Sequence, residues 1–178
     1  LRQDPDIIML GEIRDGDTAG MAIRSSLTGH LVFSTIHTNS AWGSVARLGD
    51  MGVHPYLLSG TLILCAAQRL VRLLCPDCKQ EAELSPEERR QLGPECREAK
   101  HYKAIGCEKC YYTGYRGRKA IYEVIPIDEG LAGAVRASAA DVGPLLRERG
   151  ITTLRESALA LFHAGLTSLE EVLPLLSE

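Results

Sequence analysis

The sequence predicts an α/β fold, and three of its features lead to that prediction. Two apolar segments typical of buried strands, Ile7–Leu10 and Gly29–Asn39, flank a segment with helical spacing of apolar residues. Two Cys-x-x-Cys pairs then interrupt the chain near its middle. Beyond residue 127 the apolar residues recur at helical intervals. We therefore expect an α/β core, an inserted cysteine module and a helical carboxyl-terminal part.

The first three elements predict a strand, a helix and a parallel strand. Asp17 can cap the helix by accepting hydrogen bonds from its first turn, and Gly29 can end it in a left-handed conformation. The helix would bury its periodic apolar residues, Ala19, Ala22, Ile23 and Leu27. A strand–helix–strand crossover joins parallel strands, so the carboxyl ends of both strands should lie at the same edge.

Ionisable side chains follow both strands at that edge. Glu12 follows the first strand, and His37 lies at the end of the second. A carboxylate in this place commonly holds Mg²⁺, directly or through water, or orients the water that attacks a terminal phosphate. Gly11 occupies the position where many P-loop proteins carry a further aspartate, so Glu12 would act alone. An imidazole such as His37 can direct an N–H group at the phosphate.

Simpler interpretations of these side chains stay open. Glu12 alone would also fit a solvated acid at a strand end, and His30 would fit a histidine bonded to local backbone. Thr38 and Asn39 would fit helix caps, and Arg14-Asp15 a loop ion pair. None of the lysines follows a glycine, so the G-x-x-x-x-G-K-[ST] phosphate loop is absent from this sequence. The chain therefore carries half of a nucleotide site.

The cysteine pairs predict a structural zinc site. Cys75 and Cys78 form one pair, Cys107 and Cys110 the other, and each spacing lets one tight turn aim two thiolates at a tetrahedral metal. Four sulfur ligands leave no open position for water, which is the pattern of a structural site. Disulfides, a redox dithiol and free core thiols are the alternatives. No secretory segment precedes the cysteines, which favours reduced thiols and Zn²⁺.

The 28 residues between Cys78 and Cys107 form a long insertion in this module. Ser85-Pro86-Glu87-Glu88 predicts a helix start within it, with Ser85 as cap and Glu88 reaching back. We expect Cys65 to be a core residue in an apolar helix. His101 is the one substitute metal ligand that the segment offers, and Cys96 lies in its charged part.

The remaining elements follow from caps and periodicity. Asn39 or Ser40 caps a helix that Gly52 ends, and Pro55 begins a helix that buries Leu57, Leu58, Leu62 and Leu64. Strands are predicted near residues 69–74 and 120–127. The last part is helical, with a final helix that begins at Thr167/Ser168 and Glu170-Glu171.

Composition excludes some functions. The chain has 178 residues, 45% of them hydrophobic, and a formal net charge of −3, which gives no reason to expect a nucleic-acid partner. No segment is long and apolar enough to cross a membrane. Tyr111, Tyr112 and Tyr115 could form a base-stacking platform, but the mixed charge around them favours packing and a protein contact.

Several of these motifs together resemble the GspE/PulE/PilB family of secretion ATPases. The segments that carry the resemblance are Leu1–Asp15, Leu27–Ser40, Asp50–Val53, Ala67–Arg72, the Cys-x-x-Cys pairs and Thr113–Val124. The first two look like the Walker B and His boxes of these motors. Pilus retraction motors generally lack the cysteine module, so its presence favours the secretion and pilus assembly branch.

The resemblance implies the carboxyl-terminal part of a RecA-like P-loop ATPase core, with an inserted tetracysteine zinc module and a terminal helical subdomain. Its segments would be residues 1–74 of the core, 75–118 of the zinc module and 119–178 of the returning strand and helices. Glu12, His37 and His30 would be catalytic, and Glu12, His37 and Arg14 would bind the cofactors ATP and Mg²⁺. The phosphate loop would lie upstream of Leu1, so this fragment should be inactive alone.

The resemblance also implies partners. The full-length protein would be a cytoplasmic homo-hexamer, peripheral at the inner membrane, that drives type II secretion or type IV pilus assembly through a platform protein in that membrane. A competence-type DNA uptake motor, a zinc-stabilised adaptor without enzymatic activity and a nucleic-acid-binding zinc ribbon are the alternatives.

Overall fold

The computed structural model describes residues 5–92 and 101–176. The strands in these ranges are β1 (Ile7–Met9), β2 (Leu31–Phe33), β3 (Leu64–Leu74), β4 (Gln80–Ala82), β5 (His101–Lys103) and β6 (Tyr115–Pro126). The helices are α1 (Gly16–Leu27), α2 (Gly43–Asp50), α3 (Pro55–Thr61), α4 (Pro86–Leu92), α5 (Glu129–Arg136), α6 (Gly143–Glu148), α7 (Leu154–His163) and α8 (Leu169–Leu176). None of the described helices has the length and apolar character needed to cross a membrane.

The chain forms two compact units. Unit 1 comprises Leu1–Ala66 and Val124–Ile151, and unit 2 comprises Ala67–Glu123 and Thr152–Glu178. Each unit therefore joins segments that are distant in the sequence. The division into segments 1–74, 75–118 and 119–178 stays a prediction about sequence modules.

Unit 1 contains the predicted strand–helix–strand crossover. β1 and β2 pair in parallel, with Ile8 opposite Val32, and α1 connects them. β2 is much shorter than the predicted strand Gly29–Asn39. Beyond Phe33 the two segments remain adjacent without regular pairing, because the Ile13 N–H donates to the Thr35 carbonyl at 2.8 Å.

The predicted cap of α1 was wrong by two residues. Asp15 is the cap and accepts from the Thr18 N–H at 2.8 Å, whereas Asp17 lies inside the first turn. The capping carboxylate must precede the helix for its oxygen to reach that N–H, and only Asp15 does so. Gly29 follows the helix with φ of +96°, which confirms the predicted left-handed end.

The helix after Pro55 was predicted too long. α3 begins at Pro55 as expected but ends at Thr61, and β3 begins at Leu64. Cys65 is therefore buried in a strand, not in a helix. The short apolar run fits either element by periodicity, and pairing of β3 with β6 selects the strand.

Unit 2 has a core of β-strand and helix side chains. β4 pairs antiparallel with β5, and the predicted capping box of α4 is present, with the Ser85 N–H donating to Glu88 Oε2 at 2.7 Å. The final helix α8 begins directly after Thr167 and Ser168, as predicted. The buried core residues come mainly from β3, β6, α7 and α8; they include Val71, Ile121, Leu154, Ala158, Phe162, Leu169 and Val172.

Candidate functional sites

Glu12 and His37 meet beyond the carboxyl ends of β1 and β2, as the parallel pairing predicted. Glu12 Oε2 lies 3.3 Å from His37 Nε2, and Glu12 Oε1 lies 2.5 Å from an Arg14 guanidinium nitrogen. The His37 side chain is 89% exposed and that of Glu12 is 32% exposed. We call these three residues, Glu12, Arg14 and His37, the rim. It is an open group of polar side chains that a ligand could reach.

The backbone on both sides of Glu12 is held by the segment after β2. The Thr35 hydroxyl donates to the Gly11 carbonyl at 2.7 Å, and the Ile13 N–H donates to the Thr35 carbonyl at 2.8 Å. Ile13 itself is buried. Glu12 is therefore an accessible carboxylate on a well-anchored stretch of backbone.

The charges at the rim keep Glu12 ionised. A hydrogen bond from Arg14 is the main cause that lowers the pKa of the Glu12 carboxyl below its ordinary value, with a smaller effect from His37. The same contact raises the pKa of Arg14. An ionised carboxylate is a hydrogen-bond acceptor and a ligand for hard cations such as Mg²⁺.

His30 does not join the rim. It precedes β2, whereas His37 follows it, so the parallel strands place His30 towards the opposite edge of the pair. Its Nδ1 lies 3.0 Å from the Ser25 carbonyl and 3.1 Å from the Thr28 hydroxyl. The local-backbone interpretation thus describes its contacts, and a catalytic role for His30 stays a prediction.

The two cysteine pairs meet in unit 2. We call Cys75–Cys78 the first knuckle and Cys107–Cys110 the second knuckle. Their four sulfur atoms lie within 4.8 Å of one another. Individual Sγ–Sγ distances are 4.0 Å for Cys75–Cys107 and 3.8 Å for Cys78–Cys110. The sequence spacing alone predicted this meeting of residues more than thirty positions apart.

The sulfur positions fit a tetrahedral metal site. Bonds of about 2.3 Å from zinc to four sulfurs at the corners of a tetrahedron place those sulfurs about 3.8 Å apart. The observed separations of 3.8 and 4.0 Å agree with that edge length. All five described cysteines are free thiols, including the four in the cluster. The arrangement could therefore hold Zn²⁺ with sulfur ligands alone.

Backbone N–H groups surround the sulfur of Cys110. The N–H groups of Cys107 and Gly114 lie 3.2 and 3.3 Å from this sulfur. Burial acts to raise the pKa of the Cys110 thiol, but these hydrogen bonds outweigh it and lower the pKa to about 6. At Cys78 burial dominates and raises the pKa to about 12. The two backbone N–H groups would stabilise a thiolate at Cys110.

His101 is not a member of the cysteine cluster, so its prediction as a substitute ligand was wrong. Its ring is buried against Phe162, with centroids 5.6 Å apart, and neither ring nitrogen has a hydrogen-bond partner among the described residues. Burial lowers its pKa, which favours the neutral ring. Cys96 lies outside the described residues.

Tyr115 packs into unit 2 instead of forming a stacking platform. Its hydroxyl lies 2.7 Å from the Ser168 hydroxyl, and the Arg72 guanidinium lies 4.1 Å from the centre of its ring. Tyr111 and Tyr112 are exposed.

An ion pair near the cysteine cluster was not predicted from the sequence. Lys109 Nζ lies 2.5 Å from Asp77 Oδ1, and each residue lies between the two cysteines of one knuckle. The opposite charges at matching positions of the two Cys-x-x-Cys pairs were the available signal.

Comparison with protein families places this chain among known secretion proteins. Residues 1–174 match the model of the family described as Type II/IV secretion system protein. The chain is 48% identical to the type IV pilus assembly ATPase PilB of Thermus thermophilus, with 97% of this chain and 20% of that protein covered. It is 46% identical to the type II secretion system ATPase E of Vibrio cholerae, with 100% of this chain and 36% of that protein covered.

The chain thus spans between about a fifth and about a third of the length of these relatives. Among solved structures, it is similar to the pilus retraction motor PilT with bound ADP, with a TM-score of 0.66 and 24% identity, covering 98% of this chain and 40% of that one. It is also similar to the Legionella pneumophila ATPase DotB, with a TM-score of 0.61 and 20% identity. That match covers 99% of this chain and 40% of the DotB chain. These structural matches show the α/β fold predicted from the sequence.

Proposed function

The chain belongs to the family of Type II/IV secretion system proteins, and from this we propose that it is part of a motor that hydrolyses ATP. In the proposed motor six copies of the full-length protein form a ring, as the family resemblance implies. The ring would lie in the cytoplasm, against a platform protein of the inner membrane. It would drive type II secretion or type IV pilus assembly, with proteins and not nucleic acid as partners.

The contact between Glu12 and His37 carries this proposal. Both side chains lie where ligands bind in open α/β sheets, outside the carboxyl ends of parallel strands, and both are accessible. The ionised Glu12 would hold Mg²⁺, directly or through water, or orient the attacking water. His37 would donate a hydrogen bond to the terminal phosphate, where negative charge develops.

Arg14 would have two roles at the rim. In this structure it pairs with Glu12 and offsets its charge. Its side chain is 72% exposed, so it can turn towards a bound nucleotide and bind a phosphate oxygen. The phosphate loop would come from another part of the full-length protein, since no Gly-Lys pair occurs in this chain. We therefore expect the 178-residue chain alone to be inactive.

The four cysteines would hold structural Zn²⁺ in this motor. Their sulfurs would fill all four tetrahedral positions, which would leave no place for a substrate or an activated water. The metal would stabilise unit 2 and take no part in hydrolysis.

The substitution Glu12→Gln in the full-length protein tests the function. We expect ATP hydrolysis to fall by roughly 10²–10⁴-fold, because an amide neither activates water nor carries the charge that Mg²⁺ requires. Nucleotide affinity, measured with a fluorescent ATP analogue, should change little. Glu129→Gln is the matched control, since Glu129 is an exposed glutamate of the same unit in the first turn of α5.

Unchanged hydrolysis in Glu12→Gln would remove Glu12 from the mechanism. The self-contained cysteine cluster favours one other function, a zinc-stabilised adaptor that binds a partner without hydrolysing ATP. An inactive wild-type full-length protein that still carries zinc would support that alternative.

A further inference from the structure

The two knuckles are joined on one side by backbone contacts. The Cys75 N–H donates to the Gly114 carbonyl at 2.9 Å, and the Gly114 N–H lies 3.3 Å from Cys110 Sγ. Gly114 has φ of +77°, and a Cβ there would lie 2.5 Å from that of Ala104. Only glycine fits this position, so the backbone of Gly114 links the first knuckle to the second knuckle.

Side chains join the knuckles a second time. Asp77 Oδ1 lies 2.5 Å from Lys109 Nζ, and Asp77 Oδ2 lies 3.6 Å from an Arg116 guanidinium nitrogen. Asp77 belongs to the first knuckle and Lys109 to the second knuckle, 32 positions further along. The ion pair therefore closes the same long loop that the four sulfurs close.

We propose that Asp77 and Lys109 are a positioning pair that holds the two knuckles at the separation a tetrahedral Zn²⁺ site requires. This inference rests on the zinc site in the proposed function. Metal binding needs four sulfurs from two distant segments in one place, so a contact that already holds those segments together lowers the entropy lost when the metal binds. By reciprocity, the bound metal would strengthen the ion pair.

The charges near the sulfurs explain why a cation must accompany Asp77. Asp77 Oδ2 lies 4.0 Å from Cys75 Sγ, and four thiolates around one divalent cation carry a net charge of −2. A lone carboxylate at this distance would be repelled by that charge. Lys109 and Arg116 offset it, so the carboxylate can lie against the metal site and still connect the knuckles.

The rate of zinc release from the full chain tests the positioning pair. A chromophoric chelator added in excess takes up Zn²⁺ as the protein releases it. We expect roughly two- to fivefold faster release from Asp77→Asn and from Lys109→Met, the range for the loss of an exposed ion pair. The double variant should release zinc no faster than the quicker single variant, because each substitution breaks the same pair.

Two further variants serve as controls. Glu108→Gln removes a charge from the second knuckle at an exposed position and should release zinc at the wild-type rate. Lys109→Arg keeps the cation and should remain closer to wild type than Lys109→Met. Because the pair is accessible, raising the salt concentration should speed release from the wild type and leave Asp77→Asn nearly unchanged.

The outcomes separate this inference from the zinc site on which it rests. A wild-type protein without zinc would overturn both. One zinc per chain in the wild type, with unchanged release from Asp77→Asn and Lys109→Met, would overturn the positioning pair alone. Additive effects of the two substitutions would also overturn it, since independent residues do not act as a pair.

Discussion

The rim and the cysteine cluster are two candidate sites with opposite construction. At the rim, Arg14 and His37 are 72% and 89% exposed, and the contacts of Glu12 are made at the surface. In the cluster Cys75 and Cys110 are buried, and all four sulfurs come from this chain. A site that exchanges ligands must remain open, whereas a structural metal site is closed on all sides. We therefore expect the fold to depend far more on the cysteine cluster than on the rim.

Cys75→Ser is expected to have the largest effect on stability. Serine is a poor ligand for zinc, and a structural zinc contributes on the order of 10 kcal/mol to the folding of small metal-binding domains. We expect loss of zinc, measured by elemental analysis, and loss of the cooperative unfolding of unit 2, measured by calorimetry. Cys65→Ala is the control, because Cys65 lies in β3 outside the cluster and its loss should leave the zinc content intact.

If Cys75→Ser lost its zinc and kept full stability, the expected contrast between the rim and the cysteine cluster would be wrong. It would mean that the core of β-strands and helices in unit 2 holds the cluster in place without metal.

Glu171 gives an intermediate case, a partly buried carboxylate that holds two elements together. It lies in the first turn of α8 and accepts hydrogen bonds from the Arg72 N–H, Nε and a terminal nitrogen at 2.8, 2.9 and 2.7 Å. Burial raises its pKa, but the Arg72 contacts outweigh burial and lower the pKa below 4.5. The unfolded chain therefore binds a proton at a higher pH than the folded chain does.

Glu171→Gln should lower the free energy of unfolding by about 1–2 kcal/mol at neutral pH, since it weakens charge-assisted hydrogen bonds. A carboxyl whose pKa is lowered by folding contributes its full stabilisation at pH values above its pKa in the unfolded chain. That stabilisation is lost as the pH falls through its pKa in the folded chain. The difference between wild type and variant should thus shrink below about pH 4.5, as denaturant titrations at several pH values would show. Glu170→Gln, at the neighbouring exposed position, is the control. If the free energies of unfolding of wild type and Glu171→Gln differed by the same amount at neutral pH and well below the folded pKa, the ionised Glu171 would not be the source of this stability.

Glu12→Gln should have the smallest effect on stability, although it has the largest expected effect on hydrolysis. The pKa of Glu12 is also lowered, but its partners are exposed side chains that water replaces easily. We expect the thermal midpoint of unfolding to match that of the wild type in differential scanning fluorimetry. A clear decrease would show that the rim supports the fold and would weaken its contrast with the cluster.

Prediction from sequence succeeded wherever a few neighbouring residues decide the structure. The capping box of Ser85 and Glu88 and the left-handed end at Gly29 depend on groups only a few positions apart, and the structure has both. The spacing within each Cys-x-x-Cys pair is equally local, so the meeting of the four sulfurs could be expected.

Prediction failed where distant segments decide the structure. The apolar run around Cys65 is ambiguous by itself and became a strand because β3 pairs with β6. His101 was the one substitute metal ligand that the sequence offered, but it packs against Phe162 and is not part of the cysteine cluster. The residues next to Cys65 and His101 in the sequence do not indicate that β6 and Phe162 are their partners.

Local residue patterns were enough to establish the order of β1, α1 and β2, the two Cys-x-x-Cys pairs and the starts of several helices, because each depends mainly on residues near one another in the sequence. The sequence could place Glu12 and His37 at a shared edge, but only long-range packing decided the contact between their side chains. Long-range packing was also needed to bring Asp77 to Lys109 across the two knuckles. Such contacts depend on how separate segments pack together, and the chain fixes that packing only when the whole core forms.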